Sequence, residues 1–411
     1  MRPPVILAAL ALLAAGCSAE RSHRYTLAEA SVPAGPTAAE PNLFTAADGR
    51  VVMSWIERVD STTHALRIAI RGTDGSWSEP RDVARRNDFW LNWADFPSVA
   101  MLADGRLVAH WPQRNGAGRY AYEVRMAESK DEGRSWSESL TPHQPGIEAE
   151  HGFVSILPTD SGAMVVFLDG GNNIDPNAHQ HGDEEHGVPM TLSSNLWGAA
   201  ALTPATKRVI DSRVCDCCQT SAAMSARGPV VVFRDRTDTK PEVRDIAITR
   251  LVDGQWTAAT PVHADNWEVD FCPVNGPMVQ AYGDTVVVAW FTGARDTAKV
   301  QVAFSYDAGA SFGAPVRVDD GSPAGRVGLQ LFDGAAYVSW LERGSADSAF
   351  VKLRRVNRDG TRDASIVVSP SSGARSSGFP RMTRLADGLL LAWTIPGQPS
   401  VVKAATYRRS E

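Results

Sequence analysis

Ser129-Lys130-Asp131-Glu132-Gly133-Arg134-Ser135-Trp136 recurs almost unchanged as Ser305-Tyr306-Asp307-Ala308-Gly309-Ala310-Ser311-Phe312. The shared pattern is Ser-x-Asp-x-Gly-x-Ser-aromatic. Each copy follows an alternating run, Tyr122 to Ala127 and Val300 to Phe304, and so reads as the turn that ends a strand. The aspartate is expected to fold its carboxylate back onto nearby backbone N–H groups. The glycine takes a backbone conformation closed to other residues, and the aromatic ring tucks under the turn. Degenerate copies stand at Thr73-Asp74-Gly75-Ser76-Trp77 and Val252-Asp253-Gly254-Gln255-Trp256.

Outward from these turns lies a larger repeat. A polar residue precedes an apolar alternating run, a turn with Gly or Asp-Gly follows, and a second apolar run ends on an aromatic. The copies are Pro41–Trp55, Pro97–Trp111, Gly152–Phe167, Thr220–Phe233, Pro273–Trp290, Arg326–Trp340 and Gly378–Trp393. They start 52 to 56 residues apart, except that the third interval is longer and carries the His-rich segment Asn172–His186. Each pair leads into a third alternating run and a short fourth. Four strands per unit at this period predict an all-β fold, a β-propeller of four-stranded blades. Seven blades are preferred. The last unit lacks a fourth strand, and the run Tyr25–Val32 has no unit of its own. That N-terminal strand is expected to close the ring and remove its open edges. A six-bladed ring with one extra hairpin is the alternative.

The paired Ser-x-Asp-x-Gly-x-Ser-aromatic turns resemble the Asp-box of sialidase-like (BNR-repeat) β-propellers. In that family Ser129, Asp131, Gly133, Trp136, Ser305, Asp307, Gly309 and Phe312 would be structural and lie away from the active site. Sialidases themselves have six blades. Their mechanism requires three arginines on the substrate carboxylate, an aspartate acid/base, and a tyrosine nucleophile paired with a glutamate. This chain lacks their Phe/Tyr-Arg-x-Pro motif near the first blade, where Glu40-Pro41-Asn42 stands, and Phe379-Pro380-Arg381 is not that motif. No Tyr–Glu pair is evident in the sequence. The resemblance therefore implies the fold more strongly than the activity.

The N-terminus reads separately. Arg2 and the apolar run Val5 to Ala15 form a signal peptide too short to span a membrane. Leu13-Ala14-Ala15-Gly16-Cys17 resembles a bacterial lipobox, which implies lipidation at Cys17. Residues 1–17 are expected to be removed or processed, 18–22 to tether, and 23–411 to form one domain. Ser18, rather than Asp, after the cysteine points to the outer membrane of a Gram-negative host. The expected partners are the membrane through the lipid, and a glycan. A net charge of −6 with no basic stripe argues against nucleic acid, and a monomer is expected.

In a propeller, residues just before each inner strand and just after each second strand share one rim. That rim collects the candidate groups. Asp95, Glu150 and Asp270 are the candidate catalytic carboxylates, since an acid held among apolar groups gains a raised pKa. Arg234, Asp235, Arg236, Arg295, Arg326, Gln219 and Asn275 are candidate ligand contacts, the arginines because their planar fork matches an anion. Cys215-Asp216-Cys217-Cys218 lies one unit before Cys272. In an oxidising compartment disulfides are the default for these cysteines, with copper or zinc ligation as the alternative. His151, His179, His181 and His186, with Cys217, Cys218 and Cys272, are the candidate metal ligands. The functional expectation is a ligand-binding rim, a glycan or other anionic small molecule its ligand. A glycosidase-like hydrolase is the alternative, and a copper- or zinc-binding propeller a further one.

Overall fold

The computed structural model describes residues 25–171, 189–198 and 206–410. Seven antiparallel sheets surround a central channel, and each is one unit of the repeat. The first blade runs through Ala38–Thr45, Val51–Arg58, His64–Arg71 and Arg81–Arg86, each strand pairing with the next. The second shows three laddered strands, Ser98–Met101, Leu107–Arg114 and Tyr122–Ser129, and a lone Met126–Leu140 bridge stands where the fourth is expected. The last blade has Arg381–Arg384, Gly388–Ile395 and Val401–Arg409, and Tyr25–Ala30 supplies its outer strand, with Tyr25 opposite Arg409 and Ala30 opposite Ala404. The ring is therefore seven-bladed and closed by the N-terminal strand. The extra-hairpin alternative is excluded because all seven sheets stand side by side in the ring.

The second strand of each blade is apolar on both faces because it lies between neighbouring sheets. Trp55, Trp290 and Trp340, near the ends of these strands, are fully buried. Each indole N–H still finds an acid: Glu57 at 2.8 Å, Asp265 at 2.7 Å and Glu342 at 2.5 Å. A large ring thus fills the blade interface without an unpaired donor.

The two Asp-box turns share one geometry. Ser129 Oγ donates to Asp131 Oδ1 at 2.8 Å and accepts from Gly133 N at 2.7 Å; Ser135 N and Oγ donate to Asp131 at 2.9 and 2.6 Å. Ser305, Asp307, Gly309 and Ser311 repeat this arrangement. Gly133 sits at φ 85°. A Cβ there would lie 2.5 Å from Ile68 Cδ1 of the preceding blade. The turn therefore also wedges against its neighbour, beyond the role legible in the motif. Trp136 and Phe312 are partly buried against adjacent apolar clusters.

Candidate functional site

The chain enters several inner strands through a left-handed residue: Glu40 at φ 53°, Phe153 at 54° and Arg326 at 57°. The backbone N–H exposed there is caught by a side chain of the preceding blade. Asp95 Oδ1 accepts from Phe153 N at 2.9 Å, Asn275 Oδ1 from Arg326 N at 2.7 Å, and Thr394 Oγ1 from Glu40 N at 3.1 Å. Gln219 Oε1 does the same for Gly276 N at 2.9 Å, and its amide donates to Ala94 O. Gln219 and Asn275, expected to contact ligand, are thus latches between blades.

The arginines need a similar correction. Arg234 is 1% exposed and gives its whole fork to the backbone carbonyls of Asn275, Arg244 and Phe291. Arg326 donates to Ser377 Oγ and to the carbonyls of Gly378, Gly373 and Ala374. Arg236 pairs with Glu242 at 2.9 Å. These groups hold loops and are not presented as an anion clamp. Arg295 is exposed, and Asp235, half-buried, accepts from Arg236 N. Asp270 is exposed beside Glu242 and Lys240 in a surface cleft, apart from Asp95.

Asp95 differs from its latch equivalents. Asn and Gln supply the needed acceptor without charge, whereas Asp95 places a carboxyl, 2% exposed, at that position. Tyr122 Oη lies 3.0 Å from Asp95 Oδ2 and 3.1 Å from Glu150 Oε1. Gly152 permits this approach, because a Cβ there would stand 1.9 Å from Asp95 Oδ2. Burial raises Asp95 to about 7, against bonds from Phe153 and Tyr122 that lower it. Burial and the nearby Asp95 charge raise Glu40 to about 8, and Glu40 Oε2 is buried without a partner. Burial, with the charges of Asp216 and Asp95 adding to it, raises half-buried Glu150 as well. Burial, then the charges of Glu150 and Asp95, keeps the Tyr122 phenol protonated. A Tyr–Glu contact therefore exists where none was evident in sequence. It escaped notice because third strands also begin at this rim, and Tyr122 is the first residue of one.

Asp95 lines a central channel of about 840 Å³, together with Phe96, Phe153, Gln219, Phe379 and Arg381. Arg381 begins the inner strand of the last blade, and its guanidinium lies 4.9 Å from the Phe96 ring centre. It makes no hydrogen bond or ion pair among the described residues, and burial lowers its pKa to about 10. The sequence offered no signal for this beyond an arginine at the start of an inner strand. Trp90 stacks on Tyr122 at 3.8 Å and Trp267 lies under Arg234, so both serve packing.

His151 does not join the cysteines. Its Nδ1 lies 3.1 Å from Asp169, which also binds Lys207 Nζ at 2.6 Å, and its ring stacks on His143 at 3.8 Å. His179, His181, His186 and Cys17 lie outside the described residues. The other four cysteines carry free thiols. Cys215 Sγ lies 3.7 Å from Cys217 Sγ and 3.6 Å from Cys218 Sγ. Asp216, Cys217 and Cys272 form an overlapping group. Burial opposes ionisation of Cys218, but the contacts from Cys215 and Cys217, the Arg234 charge and an Asn275 N–H hold its thiol well below the ordinary value.

These features define a seven-bladed propeller whose one rim gathers buried, incompletely compensated polar groups. No family model and no curated protein matches the chain. Among solved structures, it is similar to a phage phi92 endosialidase, at 10% identity over 95% of this chain and 70% of that one, TM-score 0.51. It is also similar to a PL25 ulvan lyase bound to -[GlcA(1-4)Rha3S]-, at 10% identity over 92% of each chain, TM-score 0.51. A protein of unknown function from Dyadobacter fermentans aligns at 14% identity over 91% of this chain and 95% of that one, TM-score 0.48. At these identities the likeness concerns the fold.

Proposed function

We propose that the chain is an exported, lipid-anchored propeller that binds an acidic glycan in its channel mouth. The observation that carries this reading is Arg381, a guanidinium in the channel wall with no acceptor of its own. The guanidinium is half-exposed to the channel and faces the Phe96 ring, so a carboxylate or sulfate on the ligand would pair with it bidentately. Burial raises Asp95 to about 7, so at neutral pH a substantial share of it is uncharged and it repels an anion less than an ordinary carboxylate would. Two fold neighbours act on acidic polysaccharides by their names, which agrees with this ligand class. The Cys17 lipobox supports the anchor and the outer-membrane placement.

The test is calorimetric titration of the full chain with uronate-containing, sulfated, sialylated and neutral oligosaccharides. Acidic ligands are expected to bind, and Arg381→Met to weaken them about tenfold or more, the equivalent of one charged contact. Equal affinity for neutral sugars, or no effect of Arg381→Met, would refute the reading.

A second reading, glycosidase-like turnover, rests on the Asp95–Tyr122–Glu150 contact. Two carboxyl oxygens that share one hydroxyl lie at most about 6 Å apart, near the separation used by retaining glycosidases. An acid near pKa 7 suits proton donation to a leaving group. Release of reducing ends from a bound glycan, abolished in Asp95→Asn, would establish it. Binding without release in wild type would leave the module as a binder.

A further inference from the structure

Independently of any glycan, we propose that Cys215, Cys217 and Cys218 form a binding site for one thiophilic d10 cation of the Cu(I)/Zn(II) class, with Asp216 or Cys272 available to complete its coordination.

The argument begins with spacing. A metal held by thiolates at about 2.3 Å places tetrahedrally arranged sulfurs about 3.8 Å apart. Cys215 stands 3.7 Å from Cys217 and 3.6 Å from Cys218, and all three sulfurs lie within 4.8 Å of one another. Two of the three sulfur–sulfur distances are those that a single ion would set. The tight connection from the third blade into the fourth produces this arrangement. Cys215 N is anchored to Arg234 O at 3.0 Å, and the chain then turns back so that Cys217 and Cys218 face it.

Two further observations bear on a cation at this place. Asp216 Oδ1 is buried and accepts no hydrogen bond, although it lies with Cys217 and Cys272 inside one ligand-sized group. The nearest guanidinium nitrogens to it are those of Arg236 at 3.6 Å and Arg244 at 4.0 Å, too far for hydrogen bonds. In addition, Arg244 Nη1 lies 3.7 Å from Cys215 Sγ, so a fixed positive charge stands beside the sulfurs. Two or three thiolates around Cu(I), or three around Zn(II), leave a net negative cluster, which a buried guanidinium stabilises.

The site has a path from solvent. Cys272 is exposed and Cys217 half-buried, while Cys215 and Cys218 lie beneath them. An ion arriving at the rim meets Cys272 and Cys217 first and can pass to the inner pair. Soft sulfur donors select Cu(I) and Zn(II) over hard cations. A three-sulfur set suits Cu(I); addition of Asp216 or Cys272 gives the four ligands that Zn(II) takes.

The test uses the full chain, reduced and handled without oxygen. Cu(I) is titrated against bicinchoninate, and Zn(II) separately against a colorimetric chelator. The expected result is one equivalent per chain, a sulfur-to-metal charge-transfer band, and at least three sulfur neighbours by X-ray absorption. Loss of even a supporting group commonly costs 10- to 100-fold in metal affinity, so the double variant Cys217→Ser/Cys218→Ser should lose about 100-fold or more. Its thermal melt without metal should match wild type, since serine nearly conserves volume. Folded wild type that holds neither cation more tightly than this variant would overturn the proposal. Should the double variant fail to fold, fewer than three sulfurs around the ion in wild type would overturn it instead.

Discussion

The two faces of the propeller treat the same chemical group in opposite ways. At the Asp-box turns, half-buried Asp131 is met by the hydroxyl and N–H of Ser135 and by Ser129, which lower it to about 2. At the opposite rim, burial raises Asp95 to about 7 and Glu40 to about 8. One face is complete in itself. The other holds carboxyls, a guanidinium and thiols whose surroundings do not fully compensate them. Natural chains break local rules of this kind mainly where a ligand or reaction repays the cost. The difference is why the proposed ligand is placed at the rim.

Four experiments sharpen or break this contrast. The largest effect is expected from Arg234→Ala, which strips a donor from three buried carbonyls and should cost about 4 kcal/mol in urea unfolding. Arg234→Lys should recover little, because a single ammonium cannot reproduce the fork. A neutral result would mean that Arg234 is not a latch and is free for ligand. Next, Gly133→Ala forces a left-handed backbone and a clash with Ile68, and should cost about 2 kcal/mol. A silent Gly133→Ala would remove the wedge role of the Asp-box.

Third comes Asp95→Asn. A carboxyl raised in the folded state keeps its proton while the unfolded chain loses it, so stability falls as pH rises from about 4 towards about 8. Asparagine keeps the latch to Phe153 and cannot ionise. The variant should therefore match wild type near pH 4, exceed it by about 2 kcal/mol near pH 8, and show a shallower pH slope. The smallest effect is expected from Asp131→Asn. Its lowered carboxyl contributes stability above about pH 4 that is lost as pH falls towards 2, so only the acid limb of the same curve should flatten. The two aspartates should thus alter opposite limbs of one profile.

How much of this was legible in sequence follows the same division. The Asp-box motif, the blade period and the ring-closing strand could be read because each is local or periodic. The rim could be located, since loop position follows from strand alternation. What could not be read was which rim side chains are consumed by neighbouring blades. Gln219, Asn275, Arg234 and Arg326 carry the residue types of a binding site, yet each is engaged by a partner 41 to 125 residues away in sequence. The Tyr122 contact was missed because the rim was defined from two strand ends per blade, and third strands start there too. The cysteines were legible as neighbours, but their spacing alone could not distinguish a bridge from a cluster of free thiols.

The contrast between the faces is tested most directly by infrared spectroscopy of the folded chain across pH. The carbonyl stretch of a protonated carboxyl is separate from that of a carboxylate, so the state of buried acids can be read without a ligand. We expect a protonated-carboxyl band that persists to about pH 7, well above ordinary carboxyl values, and loses intensity in both Asp95→Asn and Glu40→Gln. A chain with no protonated carboxyl above about pH 5 would show that the rim acids are as well compensated as those of the Asp-boxes, and would contradict the account.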